Sequence, residues 1–260
     1  MSEKQKLSNM SLGLIVLIIA IIGYGVFQYA QPSKAQITDD AFGERVRAYL
    51  MSNPTVLRDV IGELGKQEQA NAEMDKKALI ASLATDLKQD SMSFVAGNPD
   101  GDVTIVEFFD YRCGYCKRSF PDLMKAVEED GNIRLVLKEF PILGEDSVQA
   151  SRAAIASMAQ GKYMEFHTAL MASRGALTKE RILNIATDVG LDAVKLEADM
   201  DTAAIKEVIS KNHAIAQQLG INGTPAFVIE DQFAPGALSA DQLQNLVTAA
   251  RESISKTATN

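Results

Sequence analysis

Two cysteines, Cys113 and Cys116, are the residues whose type and spacing best fit chemistry, and they are the only cysteines among 260 residues. A disulfide between positions so close would hardly constrain the unfolded chain, so it is a poor stabilising link. Two thiols one helical turn apart can instead form and break a disulfide reversibly. One thiolate attacks a substrate disulfide, and the second thiol then attacks the resulting mixed disulfide and releases the substrate. The pair therefore predicts thiol–disulfide exchange.

Metal binding and an inert buried pair are the alternative interpretations. A metal site would need further Cys or His ligands. His167 and His213 are the available histidines, and both fall on predicted helices far along the chain, where an ordinary helix position is the simpler reading. We expect neither a metal ion nor a bound cofactor, since the Cys113–Cys116 pair itself carries the electrons.

The elements around the cysteines predict how the thiols are positioned. Residues 103–109 are β-branched and aromatic, which is typical of a buried strand, and they lead directly into the pair. A helix should begin at the pair, where its N-terminal N–H groups stabilise a thiolate. Cys113 is therefore the expected nucleophile and Cys116 the resolving thiol, with Pro121 interrupting the helix further on.

The rest of the chain alternates strands and helices. We expect strands at 133–140, 226–229 and 233–238, a helical block at about 145–201 and a longer helix at 205–219. Ser239 and Gln242 have the spacing of a capping box at the start of the last helix. This order predicts an α/β or α+β domain with an inserted helical subdomain.

The N-terminal region predicts export. Residues 12–30 carry no charge and are long enough to cross a bilayer, Lys4 and Lys6 precede them, and Asp39 and Asp40 follow. We therefore expect a cytoplasmic tail at 1–11, a membrane anchor at 12–30 and a linker at 31–40, with the cysteines outside the cytoplasm. A cleaved signal peptide is the alternative.

Residues 41–90 predict a helical arm. A helix at 41–51 should be followed by a second one, with Asn53 as N-cap and Pro54 at its first position. The second helix carries two apolar stripes separated by a polar stretch: Val56, Leu57, Val60, Ile61 and Leu64, and then Ile80, Leu83 and Leu87. The stripes serve either self-association or packing on the chain's own domain. A net charge of −8 with no basic block argues against a nucleic-acid partner.

Two segments resemble a known family. FFDYRCGYCK at 108–117 resembles the active-site segment of DsbA-type thioredoxin-fold proteins, and Pro121 matches the proline that kinks the following helix in thioredoxins. GTPAF at 223–227 is similar to the cis-proline loop that faces the redox pair. The resemblance covers about 94–253 and implies a thioredoxin fold at 91–256 with the helical insertion at about 145–201.

The resemblance implies roles for three further residues. Thr224 and Pro225 should lie beside Cys113, where the Thr224 backbone offers hydrogen bonds to an extended substrate; an ordinary loop proline is the alternative. Glu107 matches the buried acid that handles protons near the resolving cysteine, unless it stands at an exposed strand edge. Lys138 is a candidate charge partner for Glu107.

The dipeptide Gly114-Tyr115 is similar to that of DsbC-type disulfide isomerases, as is a threonine before the cis-proline. The whole layout resembles the ScsC-like branch, with an oligomerising arm before a DsbA-like domain. The hydrophobic run at 12–30 predicts an inner-membrane, single-pass protein with its catalytic domain in the periplasm, or a soluble periplasmic protein if the signal is cleaved; a retained run departs from the soluble members of that branch. By the resemblance, the protein would be a homo-oligomer through 41–90 that isomerises or reduces disulfides of unfolded or misoxidised exported proteins and is kept reduced by a membrane partner. The alternatives are a dithiol oxidase and, from another class, an envelope scaffold or holdase with secondary redox activity.

Overall fold

The computed structural model describes residues 39–258, which fall into two compact units divided between Lys66 and Gln67. The predicted tail at 1–11, the predicted anchor at 12–30 and most of the predicted linker lie outside the described residues. Between residues 39 and 258, none of the helices is both long and apolar enough to span a bilayer.

The first unit is helical. Helix α1 spans Asp39–Ser52, where the sequence predicts a helix at 41–51, and α2 spans Pro54–Ser82, beginning at the predicted proline. The Asn53 side chain donates to the Tyr49 carbonyl oxygen at 2.9 Å, so it closes α1, whereas the sequence predicted a cap on α2. The larger apolar side chains that stay exposed here are Phe42, Val46, Tyr49, Met51, Leu57, Val60, Ile61 and Leu64.

The second unit begins with the end of α2 and contains the remaining elements. Its helices are α3 Ala84–Lys88, α4 Gly114–Asp130, α5 Glu145–Ser157, α6 Tyr163–Ala172, α7 Lys179–Asp188, α8 Ala193–Asp199, α9 Ala203–Gln218 and α10 Ala240–Ala258. A 3₁₀ turn at Met158–Gln160 follows α5. Its strands are β1 Phe94–Gly97, β2 Val103–Phe109, β3 Ile133–Glu139, β4 Ala226–Ile229 and β5 Gln232–Pro235.

The five strands form one mixed sheet in the order β1-β3-β2-β4-β5. The central strands β2 and β3 are parallel, and the other neighbours pair antiparallel. The thioredoxin-like α/β fold with a helical insertion is confirmed, since α5 to α8 lie between β3 and the last strand pair. The sequence analysis missed β1, a four-residue edge strand, and β5 ends earlier than predicted because Gly236 turns the chain with a φ of 86°.

Side chains alternate between the two faces of the sheet, as strand geometry requires. Odd-numbered residues of β2, such as Ile105 and Phe109, join a core with α4 and the inserted helices. Even-numbered residues, such as Val106 and Phe108, join a second core. The second core also contains Ile80, Leu83 and Leu87, so the second stripe of the predicted arm packs within the second unit. This is the packing that the sequence analysis held as the alternative to self-association.

Candidate active site

Cys113 is the N-cap residue of α4 and follows directly from the central strand β2. Its backbone is extended, with φ −71° and ψ 113°, and its Sγ accepts a hydrogen bond from the Cys116 backbone N–H at 3.3 Å. Gly114 begins the helix, and Tyr115 stays 63% exposed. The strand, the helix start and the sulfur therefore have the arrangement that a thiolate nucleophile needs.

The two thiols differ sharply in environment. Cys113 is 6% exposed, whereas Cys116 is completely buried. Hydrogen bonds from the Cys116 thiol, the Thr224 side chain and the backbone N–H groups of Cys116 and Tyr115 outweigh burial and lower the pKa of Cys113 to about 5. Burial, the Cys113 thiol and the charge of Glu107 raise the pKa of Cys116 far above its ordinary value. At neutral pH the attacking thiol is thus ionised and the resolving thiol is not.

The loop at 223–227 faces the pair. The Thr224–Pro225 peptide bond is cis, and Cys113 Sγ lies 3.1 Å from the Thr224 carbonyl oxygen, to which the thiol donates when it is protonated. The backbone of Pro225 is fixed in turn, since its carbonyl oxygen accepts from the Gly236 N–H at 2.9 Å. The two residues that the resemblance placed beside Cys113 therefore lie there.

Glu107 lies in the middle of β2 and is completely buried, so the alternative of an exposed strand edge does not apply. Both carboxyl oxygens lack a hydrogen-bond partner. Burial, followed by the nearby charges of Cys113 and Glu139, raises the pKa of Glu107 to about 8. A buried carboxyl kept neutral near pH 7 and close to both cysteines can store or release a proton during exchange.

Lys138 does not pair with Glu107, which corrects the prediction. In the register of β2 and β3, Glu107 is opposite Leu137 and Phe108 is opposite Lys138. Lys138 therefore points to the other face of the sheet, where its Nζ donates to the Asp90 carboxylate at 2.8 Å and to the Asp86 carbonyl oxygen at 2.7 Å. Strand alternation separates the two charges even though their strands are neighbours.

A buried polar cluster on the active-site face was missed in the sequence. Glu139 Oε1 accepts hydrogen bonds from Tyr111 Oη at 2.9 Å and from Tyr163 Oη at 2.8 Å. His167 Nδ1 lies 2.8 Å from Tyr111 Oη, while His167 Nε2 is buried without a partner. Burial raises the pKa of Glu139 to about 8 and lowers that of His167 to about 3. The sequence feature that could have predicted this cluster is Glu139 itself, an acidic residue at the end of a buried strand.

Asp110 is a second residue that the sequence analysis passed over. Its carboxylate accepts from the backbone N–H groups of Arg112, Ile142 and Leu143 at 2.7, 2.8 and 3.0 Å and from Ser147 Oγ at 2.7 Å. It therefore ties the segment before Cys113 to the loop that follows β3. Within residues 39–258, no three His, Cys, Asp or Glu side chains are grouped as a metal site requires.

Comparisons with known proteins identify the family. A model described as DSBA-like thioredoxin domain matches residues 104–248, more than half of the chain, and the Copper resistance protein ScsC N-terminal domain matches residues 40–71. A thioredoxin-like oxidoreductase from Silicibacter pomeroyi DSS-3 is 48% identical, with 65% of this chain and 97% of that chain covered and a TM-score of 0.64. Proteus mirabilis ScsC in a compact conformation is 29% identical, with coverages of 84% and 99% and a TM-score of 0.62.

The curated relatives include longer proteins. The Na(+)/H(+) antiporter NhaA of Herminiimonas arsenicoxydans is 28% identical over 160 residues, which is 60% of this chain but 25% of the antiporter. The chain thus spans about a quarter of the length of that relative. The fold, the cysteine pair and the family model agree: this chain belongs to the DsbA-like thioredoxin family. Its N-terminal segment is of the ScsC kind.

Proposed function

We propose that this protein is a periplasmic thiol–disulfide oxidoreductase that isomerises or reduces disulfides of exported proteins. The unequal thiols support this proposal most directly. Cys113, with its pKa lowered to about 5, is a ready nucleophile and a good leaving group, while Cys116 is buried and protonated. A slow resolving thiol gives a bound substrate time to rearrange before it is released.

The reaction begins when the Cys113 thiolate attacks one sulfur of a substrate disulfide. A new S–S bond joins Cys113 to the substrate, the old bond breaks, and the other substrate sulfur leaves as a thiolate. In isomerisation that thiolate attacks a second substrate disulfide, and a substrate thiolate finally displaces Cys113, so no net electrons are transferred.

In reduction, the Cys116 thiolate attacks the Cys113 sulfur and releases the substrate as a dithiol. The protein is then left with the Cys113–Cys116 disulfide, and a dithiol partner at the membrane must return two electrons and two protons. Glu107, whose charge acts on the Cys116 thiol, is the group that we expect to accept the Cys116 proton. Because burial raises the pKa of Glu107 to about 8, it is mostly protonated at neutral pH, which favours a long-lived mixed disulfide.

A dithiol oxidase is the second candidate, and one observation favours it. Stabilising the Cys113 thiolate stabilises the reduced protein, which makes its disulfide a stronger oxidant. Thiol trapping in cells distinguishes the candidates, because an isomerase or reductase is recovered with Cys113 and Cys116 reduced and an oxidase with them joined.

The assignment of the two thiols is tested by replacing each one. Cys113→Ser should abolish turnover, whereas Cys116→Ser should accumulate mixed disulfides with substrate proteins. Non-reducing electrophoresis followed by peptide mapping identifies the linked sulfur. Mixed disulfides formed through Cys116 in the Cys113→Ser protein would reverse the assignment.

We further propose that residues 39–66 hold copies of the chain together. Supporting this are the match to the ScsC N-terminal domain and the exposed apolar side chains on α1 and α2, among them Val60 at 59% and Ile61 at 67%. The full chain with Val60→Glu and Ile61→Glu should sediment as a monomer. Val194→Glu, at an 81% exposed position on α8, is the matched control and should leave the assembly unchanged. An assembly that survives the double substitution would refute this proposal.

The hydrophobic run at 12–30 supports a membrane tether as part of the same proposal. Alkaline carbonate washing of membranes tests it, since a tethered chain stays in the pellet and a chain cleaved after its signal is released.

A further inference from the structure

Positive charge gathers around Cys113 in a chain whose net charge is −8. Residues 111–118 include Arg112, Lys117 and Arg118 and no acidic residue. Lys117 turns inward, where its Nζ donates to the carbonyl oxygens of Leu170 and Ser173 at 2.9 and 2.7 Å. The two arginines remain exposed at the surface of the site.

Each guanidinium is held by a contact close to the start of α4. Arg118 lies over the Tyr115 ring, with its Cζ 4.4 Å from the ring centroid, and its Nη1 is 3.3 Å from the point where a Cβ on Gly114 would stand. Arg112 Nη1 donates to the Leu143 carbonyl oxygen on the loop that follows β3. Guanidinium groups held in this way lose little freedom when they bind a carboxylate.

Neither arginine forms an ion pair with a carboxylate of the described residues, and neither is a main cause of the lowered Cys113 pKa. Among the described residues, no ion pair joins Arg112 or Arg118 to a carboxylate, including those of Glu145 and Asp146 at the start of α5. The largest contributions to the lowered pKa of Cys113 come from Cys116 and Thr224. Both guanidinium groups are therefore available to a molecule that approaches Cys113.

The surface between them suits a polypeptide. Tyr115 and Leu143 are 63% and 42% exposed, so each arginine has an exposed apolar neighbour. The Thr224 carbonyl oxygen lies 3.1 Å from Cys113 Sγ and can pair with an extended backbone. A substrate strand advances about 3.3 Å per residue, so the residues next to its cysteine lie within a few ångströms of the start of α4, the part of the chain that carries both arginines.

We propose that Arg112 and Arg118 form a basic rim that selects disulfide-bonded polypeptides with acidic side chains flanking the cysteine that Cys113 attacks. This inference rests on the proposed function and names the substrate class for the same site. The basic rim acts on the first step alone, the attack that forms the mixed disulfide. Carboxylates next to the substrate cysteine raise the rate by raising the population of correctly placed encounter complexes.

The test uses the reduced full chain and short peptides in which one cysteine, linked by a disulfide to 2-mercaptoethanol, is flanked on both sides by Glu, Gln or Lys. The second-order rate constant of attack is measured at ionic strengths of about 0.01 M and about 1 M. At low salt the Glu peptide should react about 5–20-fold faster than the Lys peptide, since each exposed charge pair contributes about 1.4–5-fold. At high salt this ratio should fall towards 1.

Substitutions test whether the preference for the Glu peptide over the Lys peptide comes from the basic rim. The double variant Arg112→Gln, Arg118→Gln should lose the Glu-over-Lys ratio, and Arg118→Lys should keep part of it. Lys125→Gln is the matched control, because it removes one charge from the same helix about 10 Å further along and should leave the ratio unchanged. Rates are divided by those with the neutral disulfide of 2-mercaptoethanol, which corrects for any change in the Cys113 pKa.

Two outcomes would overturn the inference, and they can be told apart. A protein that exchanges with the Gln peptide but shows no charge order, or keeps that order in the double variant, would overturn the basic rim alone. A protein that exchanges with none of the peptides would overturn the proposed function and the basic rim with it.

Discussion

The two faces of the sheet bury ionisable side chains in opposite ways. On the face away from α4, Lys138 is completely buried but donates to Asp90 at 2.8 Å, and the Lys138 ammonium lowers the pKa of Asp90 even though burial raises it. On the face of the cysteines, Glu107 is equally buried and has no hydrogen-bond partner. A buried ionisable group normally has a hydrogen-bond partner, so one without a partner near a reactive thiol indicates function rather than stability.

Glu139 is intermediate between these extremes. It shares the active-site face with Glu107, yet two phenols donate to one of its oxygens. Burial still raises its pKa to about 8, as it does for Glu107. Two neutral carboxyls therefore lie behind the cysteine pair, one satisfied in part and one not at all.

The largest effect on stability is expected from removing the Lys138–Asp90 ion pair on the face away from α4. Lys138→Met should lower the free energy of unfolding by about 3–5 kcal/mol, because it leaves the nearly buried carboxylate of Asp90 without its partner. Urea unfolding at pH 7 measures the loss. The Cys113 pKa, followed by thiolate absorbance, should not change, since Lys138 faces away from the thiols.

Lys125→Met is the control for this prediction, because Lys125 is exposed on α4 and its ion pair with Glu129 is at the surface. It should cost less than about 1 kcal/mol. Equal losses in the two variants would mean that Lys138–Asp90 is no more important than a surface pair.

A smaller effect of opposite sign is expected from Glu107→Gln. Burial raises the pKa of Glu107 to about 8 in the folded protein, so between about pH 4.5 and 8 the unfolded chain binds fewer protons than the folded one. Stability should therefore fall with rising pH across that window, by up to about 1.4 kcal/mol per pH unit. The variant loses this slope and should be more stable than the natural protein by about 3 kcal/mol at pH 7.

The comparison of interest is the difference in unfolding free energy between the two proteins, measured from pH 4.5 to 8.5. This difference should be near zero at the acid end, where Glu107 is protonated in both states, and should level off above pH 8, where it is ionised in both. Glu139 titrates in both proteins, so its contribution cancels. The same variant should release substrate from the mixed disulfide more slowly, since Cys116 loses the proton acceptor proposed for it. A difference that does not vary with pH would show that Glu107 does not titrate in this range.

The smallest effect is expected from Tyr163→Phe, which removes one of the two phenol donors to Glu139. The loss should be about 0.5–1.5 kcal/mol, the usual net contribution of one hydrogen bond. Because the Tyr163 hydroxyl lowers the pKa of Glu139 against the effect of burial, the variant should raise that pKa further. Isotope-edited infrared spectroscopy of the carboxyl band measures the shift, with Tyr49→Phe, an exposed position on α1, as control. A Glu139 pKa that falls in Tyr163→Phe would contradict the assigned hydrogen bond.

The sequence by itself determined the parts of this protein that depend on neighbours along the chain. Strand β2 and the start of α4 follow from a β-branched run that ends at the cysteine pair. The last helix follows from Ser239 and Gln242, whose reciprocal hydrogen bonds are 3.3 and 2.9 Å long. Local propensity and capping act over a few residues, so they can be read from the order of residues alone.

Only the tertiary structure decided which partners the buried polar groups found. Lys138 and Glu139 are adjacent in sequence, yet one pairs with Asp90 and the other with Tyr111 and Tyr163. Successive residues of a strand point to opposite faces, and what covers each face depends on how distant helices pack. No spacing along the chain specifies that choice, because it arises from strand register and from contacts between segments far apart in sequence.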